Sequence, residues 1–289
     1  MDISARIENA LDQAVAHAES PGAPPLFASA IRYSVFPGGH RIRPQLCMAV
    51  AMACGDADPE AADSAAAAIE LLHCASLVHD DLPCFDDADL RRGKPTVHVR
   101  YGAPLAVLAG DALIVLAFET LARGAAKNCS RLAQLTGIVA RSVGSPHGIV
   151  AGQAWESETT ISLVDYQRAK TGALFVGATM AGAAAAGHDP APWSVLGARL
   201  GEAYQVADDL RDVLCDEEEL GKPIGQDAAR RRPNAAAQMG IGGAKAHLES
   251  LMRGAVEGIP DCPGASQLRA LIKAQTAQFF PRQLVRAAA

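Results

Sequence analysis

In Ala65-Ala66-Ala67-Ala68-Ile69-Glu70-Leu71-Leu72-His73-Cys74-Ala75-Ser76-Leu77-Val78-His79-Asp80-Asp81-Leu82-Pro83, a largely apolar run meets two aspartates and then a proline. Alanine and leucine are strong helix formers, and proline ends a helix. The two carboxylates therefore fall near a helix C-terminus, where the macrodipole disfavours anions. The chain continues Cys84-Phe85-Asp86-Asp87-Ala88-Asp89-Leu90-Arg91-Arg92-Gly93-Lys94, adding acid and then base. A second acidic cluster, Tyr204-Gln205-Val206-Ala207-Asp208-Asp209-Leu210-Arg211-Asp212, again lies in helical surroundings. There Asp208 and Asp212, four residues apart, share a helix face and repel. Neither cluster helps folding. Hard cations would neutralise both, and Mg2+ typically takes one or two carboxylates plus substrate phosphates. The basic residues beside the first cluster assign those phosphates to a substrate.

Working outward, apolar spacing of three and four residues predicts helices over about 2–19, 42–54, 59–80, 104–125, 130–143, 163–187, 191–215, 234–257 and 265–279. No period-2 strand is legible, and aromatic residues make up only 4% of the chain. The intervening segments 21–25, 37–39, 144–148, 189–192 and 221–233 read as loops, and none has the composition of a linker. The expectation is an all-α fold, with residues 1–289 forming one domain. The net charge of −6 argues against broad nucleic-acid binding. Seven cysteines without a CxxC pair fit a reducing compartment. The first residues lack the apolar core of a secretory signal. The longest uncharged run, Thr171 to Gly187, is shorter than the ~20 residues of a membrane span. A cytoplasmic chain without a span is expected.

Asp80-Asp81-x4-Asp86 followed by Leu90-Arg91-Arg92-Gly93-Lys94-Pro95-Thr96 resembles the first aspartate-rich motif of the trans-prenyl diphosphate synthases, and Asp208-Asp209-x2-Asp212 resembles their second. Phe36-Pro37-Gly38-Gly39-His40-Arg41-Ile42-Arg43-Pro44, Ala169-Lys170-Thr171-Gly172-Ala173-Leu174 and Leu220-Gly221-Lys222 follow the family's order. The stretches Gly152 to Ser157 and Gln205 to Asp209 are similar, in particular, to the geranylgeranyl diphosphate synthases of carotenoid and bacteriochlorophyll pathways in phototrophic bacteria.

The resemblance implies an antiparallel helical bundle of the isoprenoid synthase type around a central cavity, normally a homodimer. It also implies the substrates: isopentenyl diphosphate and an allylic diphosphate. By position, Asp80, Asp81, Asp86, Asp208 and Asp212 would hold Mg2+ in a cluster of three, with Mn2+ as a substitute. Arg91, Lys170, Thr171, Gln205 and Lys222 would meet the allylic diphosphate. His40, Arg43, His73 and Arg92 would grip the diphosphate of isopentenyl diphosphate. Gln153 matches a family glutamine near the metals, and Glu156 stands where aspartate is commoner. His40 and Gln226 replace family lysines, which weakens the positive field. Phe85, Cys74 and Cys84 read as packing residues.

Farnesyl synthases resembling this chain tend to place an aromatic residue five positions before the first aspartate. Ala75 stands there, beside Ser76, so the cavity floor is expected near Leu72 and the product at twenty carbons, geranylgeranyl diphosphate. The residues leave a fifteen-carbon or longer-chain synthase open, and also a non-catalytic partner subunit.

Overall fold

The computed structural model describes residues 2–160, 162–214 and 234–279. Its helices are α1 Ile3–Ala18, α2 Pro25–Val35, α3 Ile42–Ala53, α4 Pro59–Asp80, α5 Val97–Tyr101, α6 Ala103–Gly124, α7 Cys129–Val143 and α8 Ile149–Ala154. They continue as α9 Leu163–Gln167, α10 Ala173–Ala185, α11 Ser194–Leu214, α12 Ala235–Glu257 and α13 Ala265–Phe279. The all-α expectation holds.

The quoted stretch becomes α4, the buried axis of the bundle. Pro59 occupies its first turn, and the Asp58 carboxylate accepts from the Ala61 amide at 3.2 Å, capping the start. Its alanines let α3, α6 and α10 approach closely. Glu70, the one acid in the apolar run, is buried and pairs with Arg41 at 2.8 Å. Arg41 also donates to Glu8 and to the Val35 carbonyl. This cross-link fixes the Pro37–His40 loop against α4.

Sequence periodicity missed α2, α5 and α8. The prolines around residue 25 read as loop, whereas Pro25 sits at the first helical position, where its missing N–H costs nothing. The expected absence of strands also needs correction. Leu90–Arg91 and Lys94–Pro95 form a two-residue antiparallel ladder, turned by Arg92 (φ 54°) and Gly93 (φ 72°). Positive φ at both central residues suits a tight hairpin, a local feature too short to show as alternation. The predicted 163–187 helix is interrupted by a π-helical turn at Arg168–Gly172.

The helices α4 and α6 are long and apolar enough to cross a membrane by composition alone. They pack on one another, and α4 is mostly buried within the bundle. Helix α6 keeps Val107, Leu108 and Val115 exposed.

One stripe of α11, Gly197-Gly201-Gln205-Asp208, joins packing to chemistry. A Cβ at Gly197 would lie 2.5 Å from the Val176 Cα and 2.7 Å from the Phe175 carbonyl oxygen. At Gly201 it would lie 2.8 Å from the Gly172 Cα. The two glycines seat α11 on α10 and on the π-turn, and so set where Gln205 points. Gly197→Ala should therefore destabilise by about 1–3 kcal/mol, despite alanine's better helix propensity, because backbone atoms must move. Urea unfolding checks this; a variant as stable as the parent would show that the contact is soft.

Candidate active site

The first cluster lies at the C-terminus of α4, as its sequence implies. Asp81 is the helix C-cap and is 4% exposed. Arg91, presented by the hairpin, donates from Nε to the Asp81 Oδ1 at 3.0 Å and to Oδ2 at 3.3 Å, and also from Nη2 to Oδ1. Burial raises the Asp81 pKa, and the Arg91 hydrogen bond and charge oppose that shift. Burial also works against the Arg91 charge, but Asp81, then Asp80 and Asp208, raise its pKa overall. The two acidic clusters, far apart in sequence, thus act on one guanidinium. The amide of Asp86 donates to the Asp80 carbonyl at 2.9 Å, folding the intervening loop back on the helix end.

Across from Asp80 stands Lys170 on the π-turn. Its ammonium is 3.7 Å from the Asp80 Oδ1 and donates a short hydrogen bond to the Glu156 Oε1. Glu156 also accepts from the Tyr166 hydroxyl at 2.7 Å and, at 3.5 Å, from Gln153. Thr171 donates to Gln205 at 2.8 Å, and Gln205 donates to Asp209 at 2.9 Å. Asp209 is 1% exposed and accepts from the Ala235 amide at 2.7 Å, at the start of α12. Burial raises its pKa. The middle aspartate of the second motif is thus an anchor between helices, a role that motif spacing does not disclose. Asp208 and Asp212 are half-buried on α11.

A basic set lies behind the first cluster. Arg92 donates to the Gly38 carbonyl and presses on Gly39, where φ of 142° and the lack of room for a Cβ both require glycine. Arg43 lies 3.4 Å from the His73 ring nitrogen and over the rings of Phe175 and Tyr204, at 4.8 and 5.7 Å. Burial, then the charges of Arg43, Arg92, Arg91 and Arg41, hold the His73 pKa well below 6.5, so the ring is neutral at pH 7. His40 is exposed, in the loop whose Gly38 carbonyl Arg92 holds. A cleft opens between α2, α4 and the hairpin, lined by Tyr33, Cys74, Leu77, Asp81, Arg91 and Arg92 among others. Leu72 and Ala75 are buried and Ser76 half-buried on α4, and none of the three lines this cleft. Phe85 and Cys84 are exposed, contrary to their reading as packing residues, because the loop after α4 turns outward. Lys222 and Gln226 lie outside the described residues.

Among the described residues, no three acidic, histidine or cysteine groups form a ready metal cage. That suits Mg2+, which takes part of its oxygen shell from phosphate and water. The Asp80 Oδ1 is buried without a hydrogen-bond partner, a hard oxygen donor left available. The residues fit the ion.

A helical bundle that turns two carboxylate clusters toward one arginine, with a second basic set behind them, is the arrangement of an isoprenoid synthase. Residues 24–258 match the polyprenyl synthetase family, and the chain belongs to it. It is 54% identical over 284 residues to the geranylgeranyl diphosphate synthase of Cereibacter sphaeroides, covering 98% of this chain and 99% of that one. It is 52% identical to the synthase of the same name from Rhodobacter capsulatus, over 94% of each chain. The fold is similar to the geranyltransferase of Helicobacter pylori complexed with magnesium and isoprenyl diphosphate, with a TM-score of 0.78, 26% identity and coverage of 96% of this chain and 98% of that one. The family acts on isopentenyl and allylic diphosphates and uses Mg2+.

The depressed His73 pKa has a thermodynamic consequence. Below about pH 6.5 the unfolded chain binds a proton at His73 that the folded chain refuses. Stability present above that pH should fall with acidification, by at most about 1.4 kcal/mol per pH unit from this group. His73→Gln should flatten the fall between pH 6.5 and 5 in urea titrations. An unchanged slope would mean that His73 protonates freely in the folded state.

Proposed function

We propose that the chain is a geranylgeranyl diphosphate synthase, condensing isopentenyl diphosphate with an allylic diphosphate. The observation that carries the reading is the convergence of Asp80, Asp81 and Asp208 on Arg91, with Lys170 facing Asp80. The near-full-length likeness to two synthases of that name supports it. The whole of 1–289 is taken as one isoprenoid synthase domain.

Asp80, Asp81, Asp86, Asp208 and Asp212 would hold Mg2+ as a cluster of three, with Mn2+ able to substitute. When bound, the metal supplies Lewis-acid stabilisation of the departing diphosphate. The chain's own cations do the rest. Arg91, Lys170 and Lys222 stabilise charge developing on the leaving group, aided by preorganisation in a site of low dielectric. Thr171 and Gln205 orient the same diphosphate. His40, Arg43, His73 and Arg92 hold isopentenyl diphosphate so that its double bond faces the allylic carbon. Carbon–carbon bond formation gives a tertiary cation, and the released diphosphate takes the proton that restores a double bond. Apolar helix walls keep water from the cation. Without a covalent enzyme intermediate, no nucleophilic side chain is required.

The small Ala75 and Ser76 on α4 set the product at twenty carbons, with the cavity floor at Leu72. The exposed Val107, Leu108 and Val115 face of α6 is covered by a second copy of the chain, giving a homodimer in the cytoplasm rather than a membrane-spanning protein.

Two experiments test this reading. Asp80→Ala, or excess chelator with the parent, should lower turnover a hundredfold or more, on the order of 3 kcal/mol of transition-state stabilisation. Folding should survive, and undiminished turnover would remove the metal from the mechanism. Labelled isopentenyl diphosphate should yield twenty-carbon product from the parent and mainly fifteen-carbon product from Ala75→Tyr. A parent that stops at fifteen carbons, or a tyrosine variant that still reaches twenty, would place the ruler elsewhere.

A further inference from the structure

Lys170 has two acids within reach and is hydrogen-bonded to only one of them. Its ammonium makes the short contact with Glu156 and stops 3.7 Å from the Asp80 Oδ1, which is buried and has no hydrogen-bond partner. Packing enforces the choice. A Cβ on Gly152 would lie 2.4 Å from the Lys170 amide nitrogen and 2.5 Å from its Cα, so α8 runs directly against the lysine backbone. Glu156 follows Gly152 by four residues, one helical turn, which brings its carboxylate under the lysine side chain. The Tyr166 hydroxyl, at 2.7 Å on the same Oε1, fixes the carboxylate in place.

At 3.7 Å the ammonium and the Asp80 carboxylate form a loose ion pair that needs little to close into a hydrogen-bonded one. Lys170 hydrogen-bonded to Asp80 would occupy the oxygen that a divalent cation needs. We infer that Glu156 is a positioning residue that draws Lys170 off Asp80, leaving the Asp80 oxygen for the metal. This rests on the proposed metal role of Asp80. It assigns Glu156 a task that acts through Lys170, without contact to substrate or metal.

Removing the negative charge at 156 would also weaken a nearby cation directly, so a single variant cannot separate the two causes. A double-mutant cycle separates them. Mg2+ binding is measured by titration calorimetry on the purified chain with inorganic diphosphate, for the parent, Glu156→Gln, Lys170→Met and the double variant. Glu156→Gln should raise the Mg2+ dissociation constant on the order of fivefold to tenfold, and Glu156→Asp, which keeps the charge, should largely restore it. In the Lys170→Met background, Glu156→Gln should change little. An equal loss in both backgrounds would overturn the inference and make Glu156 a direct electrostatic partner of the metal. An unchanged constant in Glu156→Gln with a normal unfolding midpoint would overturn it too. If Glu156→Gln does not fold, Glu156→Asp carries the test: a tenfold weakening there, with its charge retained, counts against the inference. A parent that binds no Mg2+ with diphosphate overturns the functional assignment as well, whereas intact parent binding with a failed cycle overturns only the role of Glu156.

Discussion

Carboxylates withdrawn from water at the end of a helix are the constraint around which this molecule is arranged. Asp81 is almost fully buried at the negative end of α4, and burial and the helix dipole both oppose its charge. Arg91 is the counterweight, and its position explains much of the surrounding architecture. It is carried on a hairpin whose Pro95 carbonyl accepts from the Tyr33 hydroxyl of α2 at 2.7 Å. The neighbouring Arg92 grips the glycine loop before α3. The Arg41–Glu70 pair ties that same loop to the middle of α4. Removing one partner of such a buried pair costs more than the pair contributes, because the other charge is left stranded. The loop, the hairpin and the helix end therefore form one electrostatic unit.

The opposite wall is governed by packing. The π-turn Arg168–Gly172 presents Lys170 and Thr171 to the site, and π-turns tend to occur where function outweighs helix regularity. Two glycines clamp it: Gly152 on α8 presses on Lys170, and Gly201 on α11 presses on Gly172. Lys170 and Thr171 then each receive a polar tether. Glu156 takes Lys170, while Gln205 takes Thr171 and is itself held by Asp209. Because Asp209 also binds the first amide of α12, the placement of the threonine hydroxyl is linked to the docking of that helix.

Much of this was legible in the sequence where the signal is local and repeated. The apolar run into Asp80 gave α4 and its end point. The base following the acid of the first cluster pointed to a phosphate substrate but not to the pairing of Asp81 with Arg91, and i,i+4 spacing put Asp208 and Asp212 on one face. Short elements escaped because they lack enough periods to be counted: the Leu90–Pro95 hairpin has two residues a side, and α8 has fewer than two turns. The π-turn escaped for another reason. Residues 163–187 read as one continuous helix, and the glycines that press on the turn lie 18 or more residues away along the chain. Asp209 was passed over because its motif treats all aspartates alike, while burial separates them: one faces the Arg91 field and its neighbour binds a helix N-terminus.

That separation shows how a cluster of like charges survives in a folded protein. Five kinds of donor neutralise the acids around the site. A guanidinium serves Asp81, a backbone amide and a side-chain amide serve Asp209, and an ammonium with a phenol serves Glu156. Each satisfies its carboxylate with fixed donors from another element, which keeps desolvation from unfolding the region. Asp80 is treated differently, with a buried oxygen that accepts no hydrogen bond and has the Lys170 ammonium 3.7 Å away. Such an atom retains an energetic penalty, and Asp80 shares that state with the Oδ1 of Asp56, outside the site. On the proposed metal role of Asp80, a bound cation would relieve that penalty and gain affinity from it.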